Sequence, residues 1–191
     1  MGKKNLSVKV YSLQSDEIVQ RLKDGIVHYC KREFIKKKYD DVAGSFLLAY
    51  DWYNSKAKDI VSKPEQAESG IWGFLDARLI EKHKGSELLK LDVPIDECVF
   101  FRMSDWSKLL NLDFIGEKSA AKSYHDELER NGIRFASDVC LTSFYLLLKR
   151  KLLNSWEQLF RYDAAIKAND TDDLPNDIQV GLWQIRPEWI V

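Results

Sequence analysis

Three short clusters set a carboxylate beside an indole: Tyr50-Asp51-Trp52, Ser104-Asp105-Trp106 and Ser155-Trp156-Glu157. In a cleft, aromatic faces stack a planar ligand while carboxylates hold its hydroxyls. The same residue types also build packed core, with Ser104-Asp105 and Ser155 as helix caps. Spacing alone leaves both readings open. His28, His83 and His125 lie on different segments with no HxH or HExxH spacing, so no metal site is expected. His125 sits beside Asp126, Glu127 and Glu129 and reads as solvated, whereas His28 follows Ile26-Val27 and reads as partly buried. The phosphate-binding glycine loops and the GxSxG elbow are absent, which disfavours P-loop hydrolysis, Rossmann oxidoreduction and α/β-hydrolase chemistry.

Charge narrows the field further. Lys and Arg number 29 against 30 Asp and Glu, a formal net charge of -1, so bulk charge does not hold this chain on nucleic acid. Two local basic runs remain, Lys31-Arg32-Glu33-Phe34-Ile35-Lys36-Lys37-Lys38 and Lys149-Arg150-Lys151. Each reads as a solvated face or as a contact to phosphates. Cys30, Cys98 and Cys140 are far apart and odd in number, which fits free thiols in a reducing compartment. Met1-Gly2-Lys3-Lys4-Asn5 has no apolar segment of signal length behind it, and the run from Phe144 through Leu148 is too short to span a bilayer. We expect a cytoplasmic protein with no membrane partner.

The elements that must position these residues follow from periodicity. Residues 6–14 alternate apolar and polar as a strand, and Ser15-Asp16-Glu17 opens a helix that Gly25 stops. Val42, Phe46, Ala49, Tyr50, Tyr53, Ala57 and Ile60 recur at helical spacing and predict one buried face. Strands are predicted at 70–75, 88–93 and 98–103, the last two split only by Pro94-Ile95-Asp96-Glu97 and therefore expected to pair as a hairpin. Helices follow through Leu110, over Lys118–Arg130 and as one long helix at 138–162. An acidic loop at 169–173 leads to a final strand at 178–185. The order predicts a single α+β domain over 1–191, with a largely antiparallel sheet of about five strands packed with helices.

The chain resembles a bacterial and phage family known as domain of unknown function 3841. The matching pieces are Val10-Tyr11-Ser12-Leu13-Gln14, Ala49-Tyr50-Asp51-Trp52, Gly70-Ile71-Trp72-Gly73-Phe74 and Leu91-Asp92-Val93-Pro94. They continue with Ser104-Asp105-Trp106, Leu109-Leu110-Asn111, Ser155-Trp156-Glu157-Gln158-Leu159-Phe160 and Ile178-Gln179-Val180-Gly181-Leu182-Trp183. Gly73-Phe74 stands where the family pattern leads one to expect a second Trp.

At the level of element order the chain also resembles the ADP-ribosyltransferase superfamily, most of all its DNA-modifying toxin branch, through the opening strand, Gly25, the hairpin and Phe100-Phe101-Arg102. Such enzymes cleave the nicotinamide–ribose bond of NAD and pass ADP-ribose to a nucleophile. The resemblance implies NAD as cofactor, with Tyr11, Gln14, Tyr50 and Trp52 binding it and Glu188 or Glu157 as the carboxylate. The first strand carries Ser12 and Gln14 where that superfamily places His or Arg. The competing reading is a non-catalytic module that engages a protein or nucleic-acid partner, and the lack of a paired acid–base signature favours it.

Overall fold

The amino-terminal alternation forms strand β1 (Ser7–Ser15), with Val10 and Ser12 fully buried on one face and Tyr11 and Leu13 half-buried on the other. At its end the Ser15 hydroxyl accepts from the Ile18 N–H at 3.4 Å and caps helix α1 (Asp16–Lys23), which buries Val19 and Leu22. Gly25 follows at φ 82°, a left-handed turn that a side chain would strain. The computed structural model describes residues 6–39, 43–170 and 174–191. The Lys36, Lys37 and Lys38 side chains, Val42, residues 1–5 and residues 171–173 of the acidic loop lie outside the described residues.

Helices α2 (Arg32–Tyr39) and α3 (Ala43–Ile60) precede strand β2 (Ile71–Phe74). Then come β3 (Ser86–Pro94), β4 (Val99–Arg102), α4 (Met103–Leu110) and α5 (Lys118–Arg130). Helices α6 (Ala136–Leu141), α7 (Leu146–Trp156) and α8 (Asp163–Lys167) lead to β5 (Ile178–Leu182). The strands make one five-stranded sheet in the order β3-β1-β2-β5-β4, antiparallel at every pairing.

Three expectations are corrected. β3 and β4 do not form a hairpin: they lie at opposite edges of the sheet, parted by a 3-10 turn at Ile95–Glu97. Their residues show why. β3 leaves Lys90 and Asp92 exposed along one face, whereas Val99, Phe100 and Phe101 of β4 are all buried, so the two strands belong to different environments. The hairpin element of the ADP-ribosyltransferase resemblance is therefore missing. The helix expected at 138–162 is broken, because Thr142 is extended and its carbonyl accepts from Lys149 Nζ at 3.1 Å. Thr and Ser compete locally for backbone hydrogen bonds and favour such corners. The last strand ends at Leu182, with Ile185 joined instead to His28 by reciprocal backbone bonds of 2.9 Å.

One face of the sheet is covered from edge to edge, and the other is covered over β2, β5 and β4. Val10, Leu91, Phe100 and Val180 pack on one side with Val19 and Leu22 of α1, Ile166 and Trp189. On the other, Phe101 and Trp183 meet Tyr53, Trp106, Leu152 and Trp156 from the helices.

Candidate functional site

The rings of the aromatic–carboxylate clusters turn inward together with Asp105, whereas Asp51 and Glu157 stay exposed. Tyr53 is 1% exposed and lies within 5.0 Å of Trp72 and 5.5 Å of Phe101 between ring centroids. Trp72 and Trp106 are 4.8 Å apart, and Tyr50 meets Trp106 edge-on at 5.1 Å. Three of the indole N–H groups are satisfied internally. Trp72 donates to the Tyr50 hydroxyl at 3.0 Å, Trp156 to the Asp113 carbonyl at 2.8 Å and Trp183 to the Val61 carbonyl at 2.9 Å. Buried Trp needs such partners, and the arrangement is that of core packing.

Ser155 and Asp105 hold this core rather than cap a helix, while Asp51 makes an ion pair at the surface. Helix α4 has no cap from its own N-terminal residues; instead Asp177 accepts from the Ser104 N–H and from Arg102 Nε. Ser155 lies inside α7, where its hydroxyl donates to the Leu152 carbonyl and accepts from the Ile115 N–H. Asp105, 1% exposed, is held by Arg161 at 2.8 Å and Lys108 at 3.5 Å. Asp51 accepts both arms of Arg32.

The residues expected to bind NAD are distributed over the sheet and its helical cover. Gln14 lies on the face of Val10, where it donates to the Ser12 hydroxyl at 2.8 Å, and Ser12 in turn donates to the Trp72 carbonyl. Tyr11 lies on the opposite face, beside Phe74 of β2. Tyr50 is buried, and Trp52 stacks on Phe160 at 6.0 Å. Of the carboxylates, Glu157 pairs with Lys56, and Glu188 is exposed with Arg186 at 4.0 Å. Sequence reasoning missed Gln179. It continues the row Tyr11–Phe74–Gln179 across β1, β2 and β5, is 4% exposed, and its Oε1 has no hydrogen-bond partner. One amide within an otherwise apolar buried strand was the available signal.

Outside the core, the α6–α7 corner exposes what a core would hide. Phe144 is 87% exposed, Leu147 77%, Leu146 68% and Leu141 58%. Contiguous exposed apolar side chains of this kind mark interaction surfaces. The corner is tied back by Lys149, which bonds the Thr142 carbonyl with its side chain and the Tyr145 carbonyl with its backbone N–H. Along α7 the face of Leu147 runs into a groove of about 610 Å³ lined by Lys151, Asn154, Gln158, Arg161, Phe114 and Tyr124.

A family model described as a domain of unknown function, DUF3841, matches residues 9–191. The chain belongs to this family. No curated protein and no solved structure matches it. In this DUF3841 chain the segments that carry the family resemblance supply β1, the middle of α3, β2 and β5, together with Trp106 and Trp156 of the aromatic core. The titratable groups offer little reactivity. Burial, with the Arg21 charge nearby, lowers His28 to about 4, so it is neutral near pH 7. Burial and Glu68 raise Cys30 to about 11, and burial also raises Cys98 and Cys140, leaving protonated thiols. Among the described residues no group of three or more His, Cys, Asp or Glu side chains could hold a metal, and no helix is long and apolar enough to cross a membrane.

Proposed function

We propose that this DUF3841 protein is a non-catalytic binding module of the cytoplasm whose working surface is the α6–α7 corner. The observation that carries the reading is the exposure of Phe144, Leu146 and Leu147 on a corner braced by Lys149. Leaving large apolar side chains in water forgoes about 1.5–3 kcal/mol each, a loss that a binding partner recovers. The free thiols support a reducing compartment. Affinity capture from a lysate of the source cells tests the reading. Wild type should retain a partner that Phe144→Asp with Leu147→Asp loses at unchanged melting temperature. Identical retention by both would refute it.

A second reading, an NAD-type ligand, is supported by the row Tyr11–Phe74–Gln179. Two half-buried rings and an unpartnered amide oxygen on three adjacent strands suit the ring and carboxamide of nicotinamide. It expects NAD to raise the melting temperature in a manner lost with Gln179→Ala, and nicotinamide release sensitive to Glu157→Gln or Glu188→Gln. Absence of both effects would dispose of it.

A further inference from the structure

We infer that the surface engaged by the α6–α7 corner is an anionic lipid bilayer, met from the side without crossing; this rests on the binding-module reading. Shape argues for it first. A side chain that keeps 87% of its surface stands proud of the protein, and Phe144 is flanked by Leu146 and Leu147 at 68% and 77%. Phe144, Leu146 and Leu147 stand outside the groove farther along α7, and such a protrusion inserts into a soft surface.

Charge argues for it second. No Asp or Glu occurs from Val139 to Trp156, while Lys149, Arg150 and Lys151 fall together one turn into α7. Lys151 is neutralised by Glu127 at 2.7 Å, and Asp138, on α6, accepts from the Phe135 N–H. Lys149 is directed at the corner by its bond to Thr142, and Arg150 is exposed. Two cations thus stand just behind four apolar side chains, with the positive end of α7 facing the same corner. Apolar insertion backed by basic residues is the pattern of interfacial attachment to negatively charged lipid. Reasoning from hydrophobic length excludes a membrane only for crossing, and length does not govern docking.

The test is flotation of the full chain with vesicles of phosphatidylcholine alone and of an equal mixture with phosphatidylglycerol. Wild type should float with the mixed vesicles only, and less as salt is added. Phe144→Glu, Leu147→Glu and Arg150→Glu should each weaken that binding about tenfold or more while melting like wild type. No flotation, equal flotation with neutral vesicles, or flotation indifferent to these substitutions would each overturn the inference. Capture repeated in lysate cleared of membranes separates the two claims. A protein retained there through Phe144, with no vesicle binding, overturns the bilayer and leaves the binding module standing.

Discussion

Gly181 lies on β5 between Trp72 of β2 and Val99 of β4, with its α-carbon directed at the aromatic core. A Cβ placed there would overlap the Tyr53 hydroxyl oxygen and approach its Cζ to 3.1 Å and Trp72 Cζ3 to 3.2 Å. Tyr53 cannot retreat, because rings of Trp72, Phe101, Trp106 and Phe160 lie within 5.0, 5.5, 5.6 and 5.7 Å of it. The backbone at Gly181 does not adopt a positive φ, so alanine adds only crowding. Overpacking of a dense core costs about 1–3 kcal/mol, and this overlap falls at the upper end. For a chain of this length that corresponds to a fall of about 6–12 °C in Tm for Gly181→Ala, read by thermal unfolding. The cause is specific. Tyr53→Phe removes the clashing oxygen, so Gly181→Ala with Tyr53→Phe should recover about half of the loss or more, as a double-mutant cycle measures. A Gly181→Ala protein that melts like wild type, or a loss that Tyr53→Phe leaves untouched, would refute the packing argument.

Three further outcomes are expected. Asp105→Ala removes the buried carboxylate that pairs with the part-exposed Arg161 and should cost about 1–3 kcal/mol in denaturant unfolding; a cost below about 0.5 kcal/mol would show that the pair is dispensable. His28, lowered to about 4, binds its proton more weakly folded than unfolded, so stability is full above about pH 6.5 and falls as pH drops toward 4. The span amounts to about 3 kcal/mol, and His28→Gln should flatten that part of the unfolding–pH curve; an unchanged curve would contradict the assignment. Ser155→Ala removes the acceptor for the buried Ile115 N–H and should cost about 1–2 kcal/mol by the same unfolding assay, with no effect meaning that another group takes that bond.

Much of the architecture was legible because period and punctuation agree with it. Ser15 does cap α1, Lys118–Arg130 is helical, and β1 and β2 fall within a residue or two of their alternating runs. Pairing was not legible. Pro94 through Glu97 reads locally as a turn, and only the burial of Val99, Phe100 and Phe101 between two layers sends β4 across the sheet. The corner at Phe144–Leu148 was not legible either: read as one helix, 138–162 carries no break there, whereas the extended Thr142 turns the chain and leaves only Leu148 of that run buried. Serine beside aspartate suggested capping at Ser104, yet the cap comes from Asp177, far along the chain. Gln179 escaped notice because a single amide in a strand has no pattern, and its unpartnered oxygen exists only in three dimensions.

The central claim is that the α6–α7 corner is where this protein meets something else. A photo-crosslinking residue placed at 144, and at the exposed position 119 of α5 as control, examines this inside the source cells. The account predicts adducts from position 144 and none from 119. Equal yields at the two positions, or none at 144, would contradict it.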